Sequence, residues 1–95
     1  MREVRNEDWS VFARELGLRL AEIRVSRGMS QATVAGVAGI AQGTYQRLEN
    51  GESQNGRPAN PWLTNMVRVC QALKVDIDDV VPDWWPDMTE GRAEA

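Results

Sequence analysis

A chain of 95 residues with 42% hydrophobic and 26% charged residues has the size and composition of one soluble domain, able to bury about 60–68% of its unfolded surface. Its single cysteine, Cys70, cannot close an internal disulfide, and with no histidine the chain lacks the usual material for zinc sites and for His-based acid–base chemistry; no metal, cofactor or catalysis is expected. No apolar run approaches the ~20 residues needed to cross a membrane, and the mixed charges of Met1 to Asp8 have no apolar segment behind them as a secretory signal would, so a cytoplasmic protein is expected.

Net charge is −3, but it divides unevenly along the chain. Residues 1–68 carry nine arginines against seven acids, giving +2, while residues 69–95 carry Lys74 and Arg92 against seven acids, giving −5. Phosphate attraction depends on where charges sit, so a mildly basic body with an acidic C-terminal part is compatible with nucleic acid and predicts weak non-specific binding.

Trp9, Phe12, Leu16, Leu20 and Ile23 recur at the spacing of one helical face, which predicts a helix over about 7–27. Asn6 is its candidate cap, Glu7 and Asp8 suit the first turn, and Gly28 stops it. Ser30 caps a second helix, 31–38, whose Ala32, Ala35 and Ala38 allow close approach of a neighbour, and Gly39 follows as a turn residue. A third short helix runs over about 42–50, although Ala41 cannot supply the side-chain oxygen of a good cap, a loss of about 0.5–2 kcal/mol. Two short helices joined by a tight glycine-containing turn make a helix-turn-helix plan over about 31–50.

After a loop over 52–60, Asn60 and Pro61 are placed to open a fourth helix, 61–73, with Leu63, Met66, Val67, Val69, Cys70 and Leu73 as its apolar stripe. Cys70 reads as a small core hydrophobe rather than a redox centre. Lys74 stands where glycine or asparagine would more easily adopt a left-handed conformation. Asp76 and Asp79 open a short fifth helix, 77–81, closed by Pro82. The fold class is therefore all-α, five helices in one domain over 1–87, followed by a disordered tail over 88–95.

The stretch Met29 to Gly51, with Ser30-Gln31-Ala32 at its start, Ala35 and Gly39 within it and Leu48-Glu49-Asn50-Gly51 at its end, resembles the helix-turn-helix of the Xre/Cro family, which includes the lambdoid phage repressors. The likeness extends upstream through Leu20 to Gly28 and downstream through Pro61 to Val81, about two thirds of the chain. It implies a lambda-repressor-like domain. The function implied is sequence-specific binding of double-stranded DNA by a transcriptional regulator: a phage repressor, a restriction-modification controller or an autoregulating antitoxin. In this family the third helix enters the major groove. On a helical projection Tyr45 and Leu48 fall on one side, with Gln42, Gly43, Gln46 and Arg47 on the other. Arginine suits guanine and glutamine suits adenine, each pair contributing about 1–3 kcal/mol of discrimination; the alternative is a merely solvated face.

The resemblance also implies that Gln31 and the region of Asn50 hold DNA phosphates. Arg57 is a further candidate, in a loop about four residues longer than the family's usual one; an ordinary flexible loop is the alternative. Arg24 and Glu49 occupy places where the family often has an ion pair that orients the reading helix, against the alternative of two exposed charges. Trp84 and Trp85 are adjacent indoles that cannot readily both face a small core. At least one is a candidate for a homodimer interface, as expected of a regulator on a palindromic operator with half-sites about one helical turn apart; packing over the monomer's own core is the alternative. A second functional class stays open, a protein-interaction module with little DNA affinity whose acidic, tryptophan-bearing C-terminal part takes a protein partner. The expected setting is the cytoplasm of a bacterium or its phage, on the nucleoid.

Overall fold

The apolar residues spaced three and four apart close on one another as expected, in a computed structural model that describes residues 1–89. In chain order the elements are β1 (Glu3–Arg5), α1 (Trp9–Ser26), α2 (Gln31–Ala38), α3 (Gln42–Glu49), α4 (Leu63–Leu73), α5 (Ile77–Val80) and β2 (Trp84–Pro86). Phe12, Leu16 and Leu20 of α1 are buried with Val34, Tyr45, Val69 and Leu73 from the other helices, and Trp9 and Ile23 pack at the margin of this core. Cys70 is also buried, and that burial pushes its thiol pKa up, as befits a core position. Among the described residues no helix is long and apolar enough to cross a membrane.

One expected end differs because of a long-range pairing. Helix α1 begins at Trp9 with Asp8 as an extended N-cap whose side chain makes no capping bond, so Asn6 is not the cap. The reason is that residues 3–5 are drawn into a parallel pair with β2, Glu3 opposite Trp84 and Arg5 opposite Pro86, leaving Asn6 to Asp8 as the link. This small sheet is an addition to the all-α plan.

The pairing also determines the fate of the two indoles. Successive strand residues point to opposite faces, so Trp84 turns inward, 2% exposed, and Trp85 outward, 37% exposed. The Trp84 ring meets Phe12 edge-on at 5.4 Å, and its Nε1 donates to Glu15 Oε2 at 3.0 Å. Trp84 is thus occupied inside its own monomer and is corrected as a dimer candidate; Trp85 keeps a free edge although it also touches Phe12 and Arg2. Of the tail expected to be disordered from Met88, residues 90–95 lie outside the described residues, and Thr89 donates from its backbone amide and hydroxyl to Asp87 Oδ1.

Helix α4 starts two residues later than expected, with Trp62 as its N-cap, so neither Asn60 nor Pro61 opens it. Its stripe is narrower too: Leu63 and Val67 are exposed, while Met66, Val69, Cys70 and Leu73 face the core. At its other end Lys74 adopts φ 58°. There Val75 N donates to Cys70 O and Lys74 N to Gln71 O, a paired closure of the last turn that ordinarily favours glycine.

Candidate nucleic-acid interface

Ser30 Oγ accepts the Thr33 amide at 3.0 Å and so caps α2. At the far end Gly39, at φ 73°, lets the Ile40 amide reach Ala35 O and turns the chain directly into α3. The third helix has only the extended Ala41 before it, with no side-chain cap; its position must therefore come from packing.

Packing supplies it from two sides. Tyr45, Leu48 and Glu49 are buried, and α3 lies so close to α1 that a Cβ built on Gly17 would stand 2.6 Å from Leu48 O. A buried polar cluster then sets the helix's rotation. Arg24 Nε donates to Glu49 Oε2 at 2.6 Å and Nη2 to Oε1 at 3.1 Å, while Nη1 donates to Met29 O at 3.0 Å. Gln31 Nε2 adds a third bond to Glu49 Oε1, at 2.9 Å. One carboxylate thereby joins α1, α2 and α3 through a forked guanidinium contact, the geometry in which an ion pair is strongest.

Burial alone would push the Glu49 carboxyl up, but the hydrogen bonds from Arg24 and Gln31, the nearby Tyr45 hydroxyl and the Arg24 charge outweigh it and hold the group below the usual carboxylate range. The hydrogen bond to Glu49 correspondingly raises Arg24. Burial, followed by the nearby carboxylate, pushes the Tyr45 phenol well above its ordinary value; its hydroxyl is enclosed without a properly aligned hydrogen-bond partner.

On the opposite side of α3, Gln42 and Gln46 are exposed and Gly43 and Arg47 half-buried. Arg47 lies back across Gly43, its Nη1 3.4 Å from where a Cβ would stand there. None of the ion pairs among the described residues includes Arg47. These four residues form one continuous surface. Gln31 sits differently from expectation, since its side-chain amide is turned toward Glu49; what it still offers outward is the backbone amide of the first turn of α2, a region of partial positive charge.

Asn50 and Arg57 are both exposed. The loop that carries Arg57 is ordered by its own hydrogen bonds: Ser53 N donates to Arg57 O at 2.7 Å, Gly56 N to Ser53 O, and Ala59 N to Gly51 O, with Glu52 and Pro58 bridged as antiparallel partners. Trp9 Nε1 pins its end by donating to Ala59 O at 2.6 Å. Two residues that the sequence did not single out stand beside this region. Trp62, 77% exposed, flanks a groove it shares with Thr44, Arg47 and Asn65, and Arg14 of α1 shares a cleft with Asn50 and Arg57. Neither carried a signal, because an exposed arginine and an isolated tryptophan acquire meaning only from their neighbours in space.

A capped short helix, a glycine turn and a second short helix with one bare polar face define a helix-turn-helix protein. A family model described as a helix-turn-helix domain matches residues 15–80, and the chain belongs to that family. The cryptic phage CTXphi transcriptional repressor RstR of Vibrio cholerae is 32% identical over 69 residues, 73% of this chain, and the chain spans 56% of that repressor's length. The restriction-modification controller protein C.AhdI of Aeromonas hydrophila superposes with a TM-score of 0.62 at 26% identity, over 72% of this chain and 94% of that one. The controller C.Esp1396I, with a TM-score of 0.58 at 18% identity over 76% and 83% of the two chains, shares the fold.

Proposed function

We propose that the protein is a transcriptional regulator that binds double-stranded DNA sequence-specifically and has no catalytic activity of its own. The observation that carries this reading is the surface made by exposed Gln42 and Gln46 with half-buried Gly43 and Arg47, on a helix whose rotation Glu49 locks. A rigid helix with unspent arginine and glutamine donors matches the hydrogen-bonding edges of the major groove. Arg47 reads a guanine, Gln42 and Gln46 read adenines, and Gly43 admits the backbone close to the bases. The α2 amides and Asn50 hold phosphates on either side of the groove. The similarity to a phage repressor and to restriction-modification controllers supports repression or autoregulation, by a homodimer on a palindromic operator in a bacterial or phage setting, with Trp85 as a contact between copies.

Selection of a preferred duplex from random sequence tests this reading. On the selected site Arg47→Ala should weaken binding by about 5–150-fold, the equivalent of 1–3 kcal/mol, and relax the preference at one base pair. Failure of the intact protein to bind any duplex even at low salt would overturn the reading and favour a protein-interaction module.

A further inference from the structure

Three segments distant in sequence meet at the C-terminal end of α3: the N-terminal half of α1, the Asn50–Gly51 corner and the tip of the 52–60 loop. They enclose an open cleft of about 240 Å³ lined by Ser10, Arg14, Asn50, Glu52 and Arg57, among others. We propose that this cleft is a seat for one phosphate of the DNA backbone, with Arg14 as a binding residue alongside Arg57 and Asn50. This rests on the DNA-binding reading above and adds to it a contact from α1, at a residue just outside the matched region of 15–80.

The argument begins with charge. Two arginines, Arg14 and Arg57, line one cleft, and none of the described ion pairs includes either of them. Glu52 shares the cleft and offsets only one of the two. Two like charges bordering one cleft make the local potential positive, which favours an anion between them. Three of the last-turn carbonyls of α3, which would repel an anion, are already taken, Gln46 O by Asn50 N, Leu48 O by Gly51 N and Arg47 O by Glu52 N, and Glu49 O lies against Gly17 of α1. Asn50 is left with an exposed amide beside them.

The cleft is also held in shape. Gly51, at φ 72°, presses against α1 so closely that a Cβ there would lie 2.8 Å from the Arg14 Cα, and the Ser53–Arg57 hydrogen bond and the Trp9–Ala59 bond fix the other wall. Position completes the case. Asn50 is the C-cap of the helix whose other end carries Gln42. A phosphate here would anchor the C-terminal end of the reading helix to the DNA backbone and so help to define its register.

The test measures affinity for the selected duplex against salt. Each phosphate contact contributes about 0.9 to the slope of log affinity on log salt. The Arg14→Gln, Arg57→Gln double variant should lower the slope by about that amount and each single variant by part of it. The advantage of wild type over the double variant then shrinks about 3.5-fold between 50 and 200 mM salt, with base preference unchanged. Arg14→Lys should keep the slope. Arg19→Gln, in a separate cleft with Glu15, Glu22 and Asp79, should leave it alone. Thermal melting of each variant separates misfolding from lost contact. A wild-type slope in folded Arg14→Gln, whatever its affinity, overturns the seat, as does failure of Arg14→Lys to keep the slope. Absence of salt-dependent binding by the intact protein instead overturns the DNA-binding reading itself.

Discussion

Gly17→Ala is the substitution on which sequence logic and structure disagree most sharply. Within a helix, alanine in place of glycine ordinarily stabilises by about 0.5–1 kcal/mol. At position 17, however, the new methyl would press hardest on Glu49 O and would stand 2.6 Å from Leu48 O, whereas ordinary contact begins near 3.4 Å. The opposing atoms are backbone and cannot rotate away, so α1 and α3 must separate by more than the roughly 0.8 Å that the Leu48 contact alone requires. Overpacking of this kind costs about 1–3 kcal/mol. The separation also stretches the forked Arg24–Glu49 contact, whose hydrogen bonds to charged groups contribute about 1.5–3 kcal/mol each when intact. We expect a net destabilisation of about 1–3 kcal/mol, the packing and ion-pair losses exceeding the propensity gain, with the melting temperature lowered by about 4–8 °C per kcal/mol. Gly36→Ala provides the control, since nothing lies within 4 Å of its Cβ position in α2; it should gain about 0.5–1 kcal/mol. Melting followed by circular dichroism checks both, and a Gly17→Ala protein as stable as Gly36→Ala would refute the close approach of the two helices.

Glu49→Ala should cost about 3–5 kcal/mol, toward the lower end because Arg24 keeps 17% of its side chain exposed, whereas Glu52→Ala at an exposed position should change stability by less than about 0.5 kcal/mol; equal denaturation midpoints would count against the polar cluster. The Glu49 carboxyl is held below its ordinary value, so its share of stability is fully present above the unfolded value, about pH 4.3. That share is lost as pH falls through the lower folded value, and Glu49→Gln should flatten acid unfolding in that range. Trp84→Ala empties a buried site and should cost about 3–5 kcal/mol. Trp85→Ala should instead shift sedimentation toward monomer with a smaller loss of stability; an unchanged mass distribution removes Trp85 from the dimer contact.

How much was legible in advance follows the range of the interactions involved. Ser30, Gly39 and Gly51 mark helix boundaries by bonds made within a few residues, and the α1 face declares itself by period alone, so the helix-turn-helix and the bare side of α3 could be read directly. The start of α1 could not, because what decides it is residues 3–5 pairing with residues 84–86. The same pairing separated Trp84 from Trp85, two identical neighbours that only strand alternation can distinguish.

The sequence by itself determined the helices, their order and the polar character of the outer face of α3, since capping and periodicity are local and act in any context. Tertiary structure alone decided which polar groups remain free to act. It turned the Gln31 side-chain amide inward to Glu49, closed Trp84 into the core, and brought Arg14 to Arg57 across more than forty residues of chain. The reason is physical: a side chain's availability depends on what is packed against it, and those neighbours are assigned only when the chain closes on itself.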